Sequence, residues 1–153
     1  MEPRIERRGG FGVAVKASAV EMGGGKPNPI PSLWDEYFAA GLHEKVAPAL
    51  GVCGPMRDGK GFDYGIGDFL PAGRKAPDGF ATWAAPESEW AVFPCTGPMP
   101  GAIQDGWERA WKWLPESGYR HREGIVDLEV YADGDARAEG YKSEIWLPVE
   151  AAR

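Results

Sequence analysis

The chain has 153 residues, 43% hydrophobic and 26% charged, the balance of a globular chain of one-domain size and not of a disordered or fibrous one. Its net charge is -6, and its basic residues are scattered apart from Arg4, Arg7, Arg8 and Arg120, His121, Arg122, so the basic surface that displaces counterions from nucleic acid is missing. There is no apolar run of the roughly 20 residues that span a bilayer and no apolar signal core in MEPRIERRGG. The expectation is one domain over residues 1–153, cytoplasmic, with no membrane or direct nucleic-acid partner.

In chain order, residues 11–19 (FGVAVKASA) read as a strand with Phe11, Val13 and Val15 on one face. A loop follows through GGGKPN, which lacks the spacing of a phosphate-binding loop. The spacing of Ile30, Leu33, Trp34, Tyr37, Phe38, Leu42 and Val46 predicts an amphipathic helix over 32–46, with Ser32 and Asp35 as an approximate capping box. Short strands are predicted at 50–53, 62–69, 80–85 and 90–93. A second helix is predicted over 102–114 from Ile103, Trp107, Ala110, Trp111 and Leu114, closed by Pro115 and Gly118. Two strands end the chain, at 126–131 (VDLEVY) and 142–149 (KSEIWLPV), joined by a polar, turn-rich stretch at 132–140.

The order is strand, helix, strand, strand, and then the same again. This predicts an α+β fold whose two helices cover one face of an antiparallel sheet. Cys53 and Cys95 read as buried thiols, and His43 and His121 as solvated residues; two cysteines and two histidines leave no zinc site or other cofactor in view.

Seven tryptophans are more than core filling requires. Trp34, Trp107 and Trp111 lie on the helix stripes and are expected in the core, while Trp113 lies off its stripe and is expected at solvent or at an adjoining subunit. In the closing strands, Val126, Leu128 and Val130 alternate with Asp127, Glu129 and Tyr131, and Ile145, Leu147 and Val149 alternate with Glu144 and Trp146. Each strand thus has one aliphatic face, expected to pack under the helices, and if the two pair as a hairpin, Glu129, Tyr131, Glu144 and Trp146 cluster on a single surface. Parity alone leaves open whether that surface is solvated or binds a ligand.

Four segments in order, WAVFPCTGPM, WERAWKWLPESGYR, VDLEVY and SEIWLPV, resemble the GyrI-like effector-binding superfamily. These are ligand-binding domains of AraC- and MerR-type multidrug regulators, with stand-alone members such as integron-cassette effector-binding proteins. VAVKASA, IPSLWDEYF and FDYGIGDF match more loosely, so the resemblance covers most of the chain. It implies two strand-helix-strand-strand units related by a pseudo-twofold axis, with an aromatic pocket whose buried acid recognises lipophilic cations. Carried over, the acid falls on Glu129, with Glu144 as second choice, and the aromatic candidates are Tyr64, Trp83, Trp90, Tyr131 and Trp146.

The expected function is therefore multidrug-type binding of a cationic aromatic compound, to sense or sequester it. Two alternatives stand beside it. One is a hydrolase of reactive small molecules using the same pocket, and the other is an interaction module that meets a regulator or a second copy of the chain.

Overall fold

The computed structural model describes residues 3–21, 25, 27–57 and 61–152. Gly23, Gly24 and Lys26 of GGGKPN lie outside the described residues. Among the described residues there are nine strands: β1 Arg4–Arg8, β2 Phe11–Glu21, β3 Leu50–Cys53, β4 Gly61–Leu70, β5 Ala81–Ala85, β6 Ser88–Thr96, β7 Tyr119–His121, β8 Asp127–Tyr131 and β9 Lys142–Ala151. Two α-helices accompany them, α1 Ile30–Ala39 and α2 Gly101–Trp113. No described helix is long and apolar enough to cross a membrane.

All strand pairs are antiparallel and join in one sheet of order β1-β6-β9-β8-β3-β4-β2-β5, with β7 beside the end of β9. The duplication is plain in that order. β2-α1-β3-β4 and β6-α2-β8-β9 form the two units, and β3 pairs with β8 across the pseudo-twofold. The strand leading into each unit crosses to the other one: β1 pairs with β6, and β5 pairs with β2. β1, with the charged sequence RIERR, was invisible to hydrophobic periodicity because it lies at a sheet edge and is held by pairs such as Arg4 to Glu144 at 2.8 Å.

Both helices pack on one face. α2 rests on Ala91, Phe93, Ile145 and Leu147, and α1 on Val20, Tyr64 and Ile66. Gly106 lets α2 approach closely, since a Cβ there would stand 2.5 Å from Cys95 Sγ and 2.9 Å from Ile145 Cδ1. α1 is shorter than its apolar spacing predicts. Gly41, at φ 71°, turns the chain into the left-handed region, and a short 3-10 turn, Leu42–Glu44, follows in place of further α-helix. The expected Ser32 cap is absent; Pro29 occupies the N-cap, and the Asn28 side chain accepts from Ile30 N at 3.0 Å.

The helix-free face holds a second core of Val13, Val15, Leu50, Val52, Trp90, Val92, Leu128 and Trp146. Both faces of the central strands are thus buried, and the aliphatic face of β8, Leu128 and Val130, lies in this second core and not under the helices as expected, whereas Ile145 and Leu147 of β9 do meet α2.

Candidate functional site

The register settles the arrangement of the closing strands. Glu129 pairs with Ile145, and Leu128 with Trp146, so Glu129 and Tyr131 share the helix face with Ile145 and Leu147. Glu144 and Trp146 point the other way, with Leu128 and Val130. The single surface of Glu129, Tyr131, Glu144 and Trp146 expected from parity therefore does not form. Glu144 bonds Arg4 and the indole of Trp146. Trp146 packs with Phe11, Phe69 and Trp90, with the Arg8 guanidinium 4.1 Å above its ring. Trp83, across from Val13, and Trp90, fully buried, also belong to this second core. Four of the seven sequence candidates thus stand on the side away from the helices.

The other three, Glu129, Tyr131 and Tyr64, converge. Ile66, Gly51, Glu129, Ile145 and Phe93 stand in one row across the helix face. From β4, the Tyr64 side chain passes over Gly51 of β3 to reach β8, and its hydroxyl donates to Glu129 Oε1 at 2.5 Å. Tyr131 Oη donates to the same oxygen at 3.0 Å, and Trp107 Nε1 of α2 donates to Oε2 at 2.8 Å. Trp34 Nε1 of α1 donates to Tyr64 Oη at 3.0 Å, so both helices are tied to this carboxylate. Burial first, and then the charge of Glu129, push both Tyr64 and Tyr131 well above the ordinary phenol range. Both therefore remain protonated donors at neutral pH.

Glu129 is only 6% exposed, yet it lies at the floor of a cleft of about 1220 Å³ between α1 and α2. Trp34, Phe38, Trp107 and Trp111 supply its aromatic wall, and Asp35, Glu123, Asp127 and Asp133 add negative charge against Arg137 and His121. A carboxylate offers about four acceptor positions, and three are taken here by neutral donors. Among the described residues, no Lys, Arg or His forms an ion pair with it. Cys53 lines the same cleft, its thiol held well above its ordinary pKa by burial and then by Glu129 and Asp127. It is consequently a poor nucleophile; of the two thiols expected to be buried, Cys95 is buried and Cys53 is partly exposed at the cleft.

Several site residues escaped sequence reasoning. Trp34 and Trp107 were assigned to the core because they follow the helix stripes, but those stripes face the cleft as well as the sheet. Trp111 is 46% exposed, stacked on Trp107 at 5.9 Å and edge-on to His121 at 5.7 Å. Trp111→Ala should thus lower stability by only about 0.5–1.5 kcal/mol, the scale of an aromatic contact and not of a buried core ring. Urea titration followed by circular dichroism measures this, and a loss above about 3 kcal/mol would contradict its half-exposed position. Trp113, expected at the surface, packs against Phe93 and Tyr119. His121 is not a solvated loop residue, since its side chain is 16% exposed and its Nε2 lies 2.7 Å from Asp127 Oδ1. Burial raises the Asp127 pKa, and His121 offsets part of that rise.

Gly51 carries the one signal the sequence did offer. A glycine inside the strand LGVC marks a close approach, and a Cβ there would stand 2.1 Å from Tyr64 Oη and 2.3 Å from Glu129 Oε1.

Solved structures share this architecture. SAV2435 bound to tetraphenylphosphonium superposes with a TM-score of 0.84 at 23% identity, covering 98% of this chain and 94% of that one. A putative bacterial transcription regulation protein from Staphylococcus aureus MU50 gives 0.76 at 23% identity, covering 99% of each chain. The integron cassette protein VCH_CASS2 from Vibrio cholerae gives 0.73 at 18% identity, covering 98% of this chain and 97% of that one. A search of curated proteins gives no match. The model of the GyrI-like small molecule binding domain matches residues 1–150, and it is to this family of small-molecule-binding domains that the chain belongs.

Proposed function

We propose that the whole chain acts as one binding module that senses or sequesters lipophilic, aromatic cations, with Glu129 as the recognising charge. The observation that carries this reading is a buried carboxylate held by three neutral donors, with no counter-cation among the described residues, at the floor of a wide aromatic cleft. Taking a carboxylate out of water is unfavourable unless another charge or a full set of donors replaces the lost hydration. Three hydrogen bonds hold Glu129 in place but leave its charge uncompensated. An entering cation supplies that compensation while its apolar groups meet the aromatic walls. Rings on several sides accept flat or propeller-shaped ligands alike, which suits broad specificity. The relative SAV2435, with tetraphenylphosphonium bound, supports the class of ligand.

The direct test compares tetraphenylphosphonium with neutral triphenylphosphine oxide by quenching of tryptophan fluorescence. The cation is expected to bind at least about tenfold more tightly, the worth of one charge-assisted contact. Equal affinities, or a preference for the neutral compound, would remove Glu129 as the recognising charge.

A further inference from the structure

Two residues before Glu129, on the same face of β8, Asp127 lines the same cleft. Its side chain is 15% exposed, and His121 Nε2 of β7 lies 2.7 Å from its Oδ1. The His121 ring also lines the cleft and stands edge-on to Trp111 of α2. Its Nδ1 faces Glu123, 3.4 Å away, a side chain 87% exposed. The flanking Arg120 and Arg122 are drawn to Glu150 instead. Along β8 and on neighbouring β3, the other ionisable groups near Asp127 are Glu129 and the protonated thiol of Cys53. Among the described residues, His121 is thus the only basic group paired with Asp127.

Resting on the reading of Glu129 above, we propose that Asp127, closed by His121 and bordered by Trp111, is a second cation subsite that takes the second positive centre of a dicationic aromatic ligand. Residues i and i+2 of a strand project about 6.6 Å apart on one face. That spacing fits a ligand whose charged ring sits at Glu129 and whose ammonium arm is a few bonds long. His121 makes the subsite proton-linked. Burial pulls its imidazole down, but Asp127 and then Glu123 more than offset this and hold the pKa above the ordinary 6.5. A cation arriving at Asp127 removes that support, lowers the His121 pKa and releases its proton. Below the free-state pKa the ligand must displace this proton, so dication affinity rises with pH. Above it the subsite is open and affinity levels off.

Ethidium and propidium share a ring system and differ by one quaternary ammonium. Their affinities are measured for the full chain between about pH 6 and 9, with proton release taken from calorimetry in two buffers of different ionisation heat. Propidium is expected to bind about tenfold more tightly at the upper end, with a gap that narrows as pH falls and with proton release that ethidium does not share. Asp127→Asn keeps an acceptor for His121 but should close the gap to about twofold or less and abolish the release. His121→Gln keeps a donor to Asp127 without titrating, so the gap should persist and lose its pH dependence. A propidium preference that survives Asp127→Asn, or equal proton release with both dyes, overturns the subsite. Glu129→Gln reads the underlying claim separately. If it weakens ethidium while wild type shows no propidium preference, the subsite alone falls; if it weakens neither dye, the Glu129 reading falls and the subsite with it.

Discussion

Glu129→Gln is expected to weaken tetraphenylphosphonium binding by about 1–3 kcal/mol, roughly 5- to 150-fold, and to change the affinity for triphenylphosphine oxide much less. The substitution preserves size and still offers one carbonyl oxygen to Tyr64 and Tyr131. What it loses is the charge, and it also sets an amide N–H against Trp107 Nε1, which now donates to Oε2 at 2.8 Å. Some stability is lost to that donor–donor contact, so thermal unfolding of each protein should accompany the titrations to show that the cleft is intact. Because a phosphonium cannot donate a hydrogen bond, the effect isolates charge from hydrogen bonding. Undiminished affinity for the cation in a folded Glu129→Gln protein would mean that the aromatic walls alone provide the recognition. Glu144→Gln is the matched control. Its carboxylate lies on the opposite face and pairs with Arg4, so it should leave both affinities within about twofold.

Gly51→Ala is expected to destabilise the protein by about 2–6 kcal/mol and to abolish cation binding. The new methyl would overlap both the Tyr64 hydroxyl and the Glu129 carboxylate, at 2.1 and 2.3 Å. Neither can withdraw easily. Tyr64 is fully buried, and moving its ring breaks the bonds to Glu129 and from Trp34 together. Overpacking of this kind costs about 1–3 kcal/mol, and an orphaned buried polar group adds about 1–3 kcal/mol. Removing the hydroxyl as well, in Gly51→Ala with Tyr64→Phe, takes away the tighter clash. It should recover part of the stability but not the binding, because Glu129 then lacks a donor and remains crowded. Denaturant titration of the two single variants and the double variant gives the coupling. A Gly51→Ala protein as stable as wild type, with cation affinity retained, would show that Tyr64 reaches Glu129 by a different path.

Much of this molecule was determined locally. The duplicated strand-helix-strand-strand order was legible because α1, α2 and the closing strands each bury an apolar pattern of their own period, and because Pro115 and Gly118 end the second helix; the end of α1 at Gly41 was not, since the apolar spacing runs on past it. Glu129 and Tyr131 could be placed on one face, since alternation along a strand is fixed by the pleat. What parity could not say is which face of one strand lies beside which face of the next. The loop at 132–140 is too long to impose a register, and the aliphatic face of each strand suits either of two cores. Tertiary packing made that choice. Pairing Leu128 with Trp146 put Glu144 and Trp146 on the face away from the helices, where Trp83 and Trp90 also belong to the second core. The same packing turned the stripes of α1 and α2 so that Trp34 and Trp107, apolar by pattern, present their indole N–H groups around Glu129. A tryptophan has an apolar body and one polar tip. Sequence periodicity places the body, and only the assembled neighbours decide where the tip finds its acceptor.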